Sequence, residues 1–142
     1  MINSIGCENA GIALDYGHAA LGYETPAEAV AMCKMYGDRL KHIHINDNYR
    51  LWDDDMIVGT VHTHEYLEFI YWLRKTGYSG YITLDQFPYR EDGRDAVEES
   101  AKWLDRLERI IDEADFDEIE SVLKKKNAVE SSKLMRKLLL GD

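Results

Sequence analysis

The side chains able to do chemistry gather at three places along the chain. Asp15 and His18 close a short apolar run, with Gly17 between them. A second run is followed by His44, Asn46, Asp47, Asn48 and Arg50, and then by three consecutive aspartates, Asp53, Asp54 and Asp55. Asp85 ends a third run, Gly-Tyr-Ile-Thr-Leu-Asp. Carboxylates and imidazoles without thiolate suit Mn²⁺, Mg²⁺, Co²⁺ or Zn²⁺ in an open site, and do not suit a structural zinc. An ion held that way could polarise a carbonyl and a neighbouring hydroxyl, as a Lewis acid and template. With an Arg close by, the ligand would be a polyol or a phosphate. Plainer readings stand beside this one. Residues 40–55 can be a solvated acidic loop after an ordinary strand, and Asp15 with His18 a turn aspartate and a surface histidine. The spacing of His62 and His64 allows ligation, but their place at a helix start favours the ordinary reading. No residue is assigned as a catalytic acid, base or nucleophile.

These groups need elements to position them. Residues 11–15, 40–46 and 80–85 are short runs, rich in β-branched and other apolar residues and bounded by turn residues, and they read as strands. Thr25-Pro26-Ala27-Glu28 is a helix start, with Thr as cap, Pro at the first position and an acid at the third. That helix buries Ala29, Val30, Met32, Cys33 and Tyr36 on one face and stops at Gly37. A long loop, residues 47–63, leads to a helix over 64–76 capped by Thr63, and Gly77 ends it. Asp92 caps a helix over 93–114, with Val97, Ala101, Leu104, Leu107, Ile110 and Ile111 on one face. Residues 116–140 form one or two further amphipathic helices, and residues 1–10 a connector. Strands alternating with helices predict an α/β fold with a parallel sheet. Such folds carry their chemistry at the C-terminal ends of the strands, where these ligand types lie.

Composition excludes some functions. A chain of 142 residues predicts one compact domain, and 45% hydrophobic residues supply its core. A net charge of −10 argues against nonspecific nucleic-acid binding, which needs Lys and Arg to neutralise phosphates. Cys7 and Cys33 lack metal or redox spacing. No apolar run reaches the length of a membrane span, and no secretory signal is seen, so the expected location is cytoplasmic.

Four motifs together, L-D-Y-G-H-A, H-I-H-I-N-D-N-Y-R, W-D-D-D-M-I-V-G and I-T-L-D-Q-F-P-Y-R, resemble the last three strand-loop units of xylose isomerase-like barrels. That group includes xylose and rhamnose isomerases, ketose 3-epimerases and, more distantly, endonuclease IV. The resemblance covers about residues 9–111. It implies the C-terminal portion of a (β/α)8 TIM barrel over residues 1–114, with about three parallel strands and flanking helices, and a helical tail over 115–142. It implies metal ligation by Asp15, His18, His44, Asp53, Asp55 and Asp85, and substrate contact by His18 and Arg50. Epimerases usually place a Glu at the strand-eight position. Asp85 there, together with the D-x-D of Asp53 and Asp55, points to a metal-dependent aldose–ketose isomerase. A ketose 3-epimerase-type fragment and a non-catalytic, oligomerising half-barrel are the alternatives. The implied partner is a small sugar. The family's strand-five Glu and its earlier strands have no counterpart, which implies a fragment inactive alone. Its open sheet is expected to expose two edges and an apolar interior, covered by self-association or by a missing N-terminal half.

Overall fold

Each of the three apolar runs forms a strand, and the residues beyond each strand turn at once into a helix or a structured loop. The structure is a computed structural model that describes residues 2–141. After a 3-10 turn at Ile2–Ile5 the elements are β1 (Ile12–Asp15), α1 (Tyr16–Leu21), α2 (Pro26–Met35), β2 (Leu40–Ile45), α3 (Thr63–Thr76), β3 (Tyr81–Leu84), α4 (Gly93–Asp112), α5 (Phe116–Lys125) and α6 (Ala128–Leu140). The strands make one parallel sheet in the order β1-β2-β3. This is the α/β arrangement that the alternation of strand and helix patterns predicts.

Strand side chains alternate between the two faces of the sheet, so the register decides what each face carries. Leu14 lies beside Ile43, Ile43 beside Ile82, and Ile45 beside Leu84. This apolar face lies against the helices, and Ile43 and Ile45 are fully buried. The core continues through Val30 of α2, Tyr66, Leu67, Phe69, Ile70 and Leu73 of α3, and Leu107 and Ile111 of α4. Tyr16 stacks on Tyr66 with ring centroids 4.0 Å apart, and Phe69 meets Tyr16 edge-on at 5.2 Å. Such aromatic pairs add about 0.5–1.5 kcal/mol to the burial itself. The helical tail joins the same core: Ile119 is buried in it, Phe116 meets Tyr71 at 5.1 Å, and Lys75 pairs with Glu120 at 2.9 Å.

The other face carries Ala13 and Asp15 of β1, His42 and His44 of β2, and Tyr81 and Thr83 of β3. It is mostly polar, and His42 Nε2 shares a hydrogen bond with Thr83 Oγ1 at 3.0 Å. The expected apolar interior is therefore corrected: the open face is one that water solvates.

Four other expectations change locally. Residues 16–21 are helical, not a turn, because the Asp15 carboxylate accepts from His18 N at 3.0 Å and caps that helix. The residue at the N-cap of α3 is His62, while the Thr63 hydroxyl donates to Gly59 O at 2.6 Å. In α2, Met32 and Tyr36 are exposed, and the buried face is Ala27, Val30 and Cys33. In α4, Val97 and Ala101 face solvent, and Ala96 and Ser100 are buried in their place. That side of α4 meets the loop before α3, whose Val58 N donates to Ser100 Oγ at 3.2 Å. Asp92 caps α4 as expected, accepting from Arg94 N at 2.9 Å.

Gly17 is buried where α1 crosses the end of β2. A Cβ there would lie 2.0 Å from Asn46 Oδ1 and 2.9 Å from Asn48 Nδ2. Neither amide can step aside freely, since Asn48 Nδ2 donates to Gly17 O at 3.0 Å and Asn46 Nδ2 to Asp15 Oδ1 at 3.4 Å. Gly17→Ala is expected to destabilise the fold by about 1–3 kcal/mol, read from urea unfolding.

Candidate metal centre

Three strands running the same way bring their C-terminal ends to one place. Asp15 is the last residue of β1 and lies beside His44 in the register. Asp85 follows β3 directly, and its N–H donates to Ile45 O at 3.1 Å, which extends the β2–β3 pairing by one residue. The side chains of Asp15, His44 and Asp85 converge, with one ligand atom of each lying within 4.8 Å of the others. His44 Nδ1 is 2.9 Å from Asp85 Oδ2 and 3.7 Å from Asp15 Oδ2. All three side chains are partly exposed, so an ion in solution can reach them.

A second pair of groups adjoins the first through Asp15. His18 Nδ1 lies 3.8 Å from Asp15 Oδ2, and its Nε2 lies 3.0 Å from Asp53 Oδ2. The hydrogen bond to Asp53 raises the His18 pKa, helped by the charges of Asp15, Asp53 and Asp55 and opposed by partial burial. The other Asp53 oxygen, Oδ1, is buried without a hydrogen-bond partner. Asp55 has its carboxyl pushed up to about 6, first by burial and then by the charges of Asp53, Asp85 and Asp15. Four carboxylates thus share one region that cations only partly compensate.

The loop that carries Asp53 and Asp55 is tied down on several sides. Asp47 and Met56 form an antiparallel bridge, with N–H···O distances of 3.0 and 2.8 Å. Tyr49 N donates to Asp54 Oδ2 at 3.3 Å, Phe87 N to Asp55 O at 3.2 Å, and Gln86 Nε2 to Met56 O at 3.3 Å. Asp55 itself sits at φ +45° and Arg50 at φ +62°, in the left-handed region that costs a non-glycine residue energy. The surrounding bonds hold them there.

The sequence-predicted site residues therefore divide. Asp15, His44 and Asp85 come together, and His18, Asp53 and Asp55 surround them. Arg50 is engaged elsewhere: its Nε donates to His62 Nε2 at 3.1 Å and its Nη2 to Glu65. His62, read from the sequence as an ordinary helix-start residue, is buried and bonded to Asp47 as well as to Arg50. His64 is exposed, as that reading expects. Asn46, Asp47 and Asn48 are fully or almost fully buried and support the site from behind. Their unbroken polar run straight after a buried strand was the available signal.

The donor set fits a divalent cation: two carboxylates and an imidazole at one point, further carboxylates within electrostatic reach, and no thiolate. The candidate ligands lie at the C-terminal ends of parallel strands, the place where parallel α/β barrels carry their chemistry. A family model described as a xylose isomerase-like TIM barrel matches residues 1–107, and the chain belongs to that family. No curated protein matches the chain. Among the described residues no helix is long and apolar enough to cross a membrane.

The raised Asp55 pKa has a consequence for stability. A carboxyl whose folded pKa lies above its unfolded value of about 3.9 binds its proton in the folded state first. Its contribution to stability is fully present below about pH 4 and is lost as pH rises through about 6. Metal-free Asp55→Asn is expected to melt a few degrees above the parent at pH 7.5, with the gap closing by pH 4. Thermal unfolding in chelator across that range checks this.

Proposed function

We propose that the chain carries the cation-binding part of a sugar isomerase that interconverts an aldose and its ketose. The observation that supports this reading most is the convergence of Asp15, His44 and Asp85 at the ends of three parallel strands. His18, Asp53 and Asp55 extend it towards a second cation position that shares Asp15. Bound there, a Mn²⁺, Mg²⁺, Co²⁺ or Zn²⁺ ion would supply Lewis acidity to a carbonyl and the adjoining hydroxyl. The chain's own groups orient the reactant. The carboxylates leave the site rich in acceptors for sugar hydroxyls, and the exposed Trp52, Phe87 and Tyr89 stand on the two loops that carry the aspartates. In the reaction a hydride moves between C1 and C2 while a proton moves between their oxygens, so atoms and electrons balance within the sugar. Asp85, where epimerases carry Glu, favours isomerisation over epimerisation.

A second reading rests on the sheet itself. Among the described residues β1 and β3 each pair on one side only, and Tyr81 on the open face is 81% exposed. A second copy, or another polypeptide carrying further strands, would pair with those edges. On this reading association comes first, and turnover by the chain alone is weak, since three strand ends build only part of a sugar pocket.

Native mass spectrometry with Mn²⁺ and with chelator separates the readings. The isomerase reading expects a Mn²⁺-loaded species that chelation removes, with affinity falling more than about 100-fold in Asp15→Ala and His44→Ala, beyond the loss typical of outer groups. An oligomer with no bound metal, whose mass chelator leaves unchanged, favours the half-barrel reading and contradicts the first.

A further inference from the structure

The loop bearing Asp53 and Asp55 is anchored by a chain of four side chains that runs behind it. Asp47 is fully buried, and His62 Nδ1 lies 2.7 Å from its Oδ1. On the other side of the ring, Arg50 Nε lies 3.1 Å from His62 Nε2, and the guanidinium goes on to Glu65. Arginine can only donate hydrogen bonds. His62 Nε2 must therefore accept, and the ring proton sits on Nδ1, facing the Asp47 carboxylate. The ring is a one-way link: it donates to Asp47 and accepts from Arg50. No other protonation pattern makes both bonds.

The link joins the two ends of one loop. Asp47 and Arg50 open it, His62 closes it, and Glu65 lies in the first turn of α3. Asp47 Oδ2 also accepts from Val61 N at 2.7 Å and from His62 N at 3.1 Å. From Asp47 the restraint passes through the bridge to Met56, the residue next to Asp55. Arg50, at φ +62°, donates its backbone N–H to Asn48 Oδ1 at 2.9 Å and its guanidinium to His62 and Glu65.

We propose that His62 is a positioning residue for the metal centre: by locking Asp47 to Arg50 across the loop base, it fixes where Asp53 and Asp55 stand. The proposal rests on the cation-site reading for its effect on affinity, but its effect on the loop is independent of any metal. It also assigns Arg50 a scaffolding task in place of free substrate contact.

The test uses the full chain and two readouts, amide exchange without metal and Mn²⁺ affinity by electron paramagnetic resonance. In His62→Ala, exchange over residues 53–56 is expected to speed up about tenfold and Mn²⁺ affinity to fall about tenfold, as for groups that orient ligands. Exchange in β2 and α4 should hold. His62→Gln offers an oxygen where Nε2 stood and can accept from Arg50, but has no donor where Nδ1 stood, so it should recover part of both losses. His64→Ala, at the exposed neighbour, should change neither. Unchanged exchange over 53–56 in His62→Ala overturns the proposal, as does a His62→Gln variant as loose as the alanine. Should the alanine variant fail to fold, ¹⁵N spectra of the parent decide with His62→Gln: a ring proton on Nε2 refutes the link, and one on Nδ1 supports it. Failure of the parent to bind Mn²⁺ would overturn the cation site alone, and the exchange result would still judge His62.

Discussion

Asp47 has no solvent exposure, yet its carboxylate accepts from Asn48 N, Val61 N, His62 N and the His62 ring. Burying an unpaired carboxylate would cost several kcal/mol, and four donors offset that cost only while the loop keeps its shape. The charge thus demands the loop conformation. Residues 47 and 61–62 must meet and the intervening residues must arch back, while the backbone bridge to Met56 ties the arch to Asp47. Asp53, Asp54 and Asp55 stand on that arch. The geometry of the acidic loop follows from one buried anion at the end of the central strand.

The same logic explains how the fold tolerates its acidic centre. Two like charges about 4 Å apart at a partly exposed site repel by roughly 4 kcal/mol. Asp15, Asp53, Asp55 and Asp85 share one region with two histidines, and burial, followed by the charges of Asp53, Asp85 and Asp15, raises the Asp55 pKa. A flexible loop would relieve the repulsion by swinging outward. The bonds from Phe87 N to Asp55 O and from Gln86 Nε2 to Met56 O oppose that movement.

Much of the fold was legible because it depends on local pattern. Alternating apolar residues gave β2, Thr25-Pro26 and Asp92 marked helix starts, and Gly77 marked a stop. The convergence of Asp15, His44 and Asp85 was legible because parallel strands place their ends together whatever their separation in sequence. The role of His62 was not. A histidine at a helix start looks the same in sequence whether it faces solvent or a buried carboxylate. The Asp47 carboxylate, accepting from Val61 N and His62 N, brings residue 62 back to the start of the loop. Arg50, which the resemblance implies as a substrate contact, has its guanidinium bonded to His62 and Glu65 here, a pairing that no local pattern in the sequence marks. The polar inner face was readable in principle from Ala13, His42, Tyr81 and Thr83, once the register was known.

The central claim is that three strand ends build one cation site. Anomalous diffraction from crystals of the full chain grown with Mn²⁺ tests it most directly. The account predicts a peak bounded by Asp15, His44 and Asp85, within bonding distance of a side-chain oxygen or nitrogen from each. Crystals whose anomalous map is empty at that point, at a Mn²⁺ concentration that fills surface sites elsewhere, would contradict it.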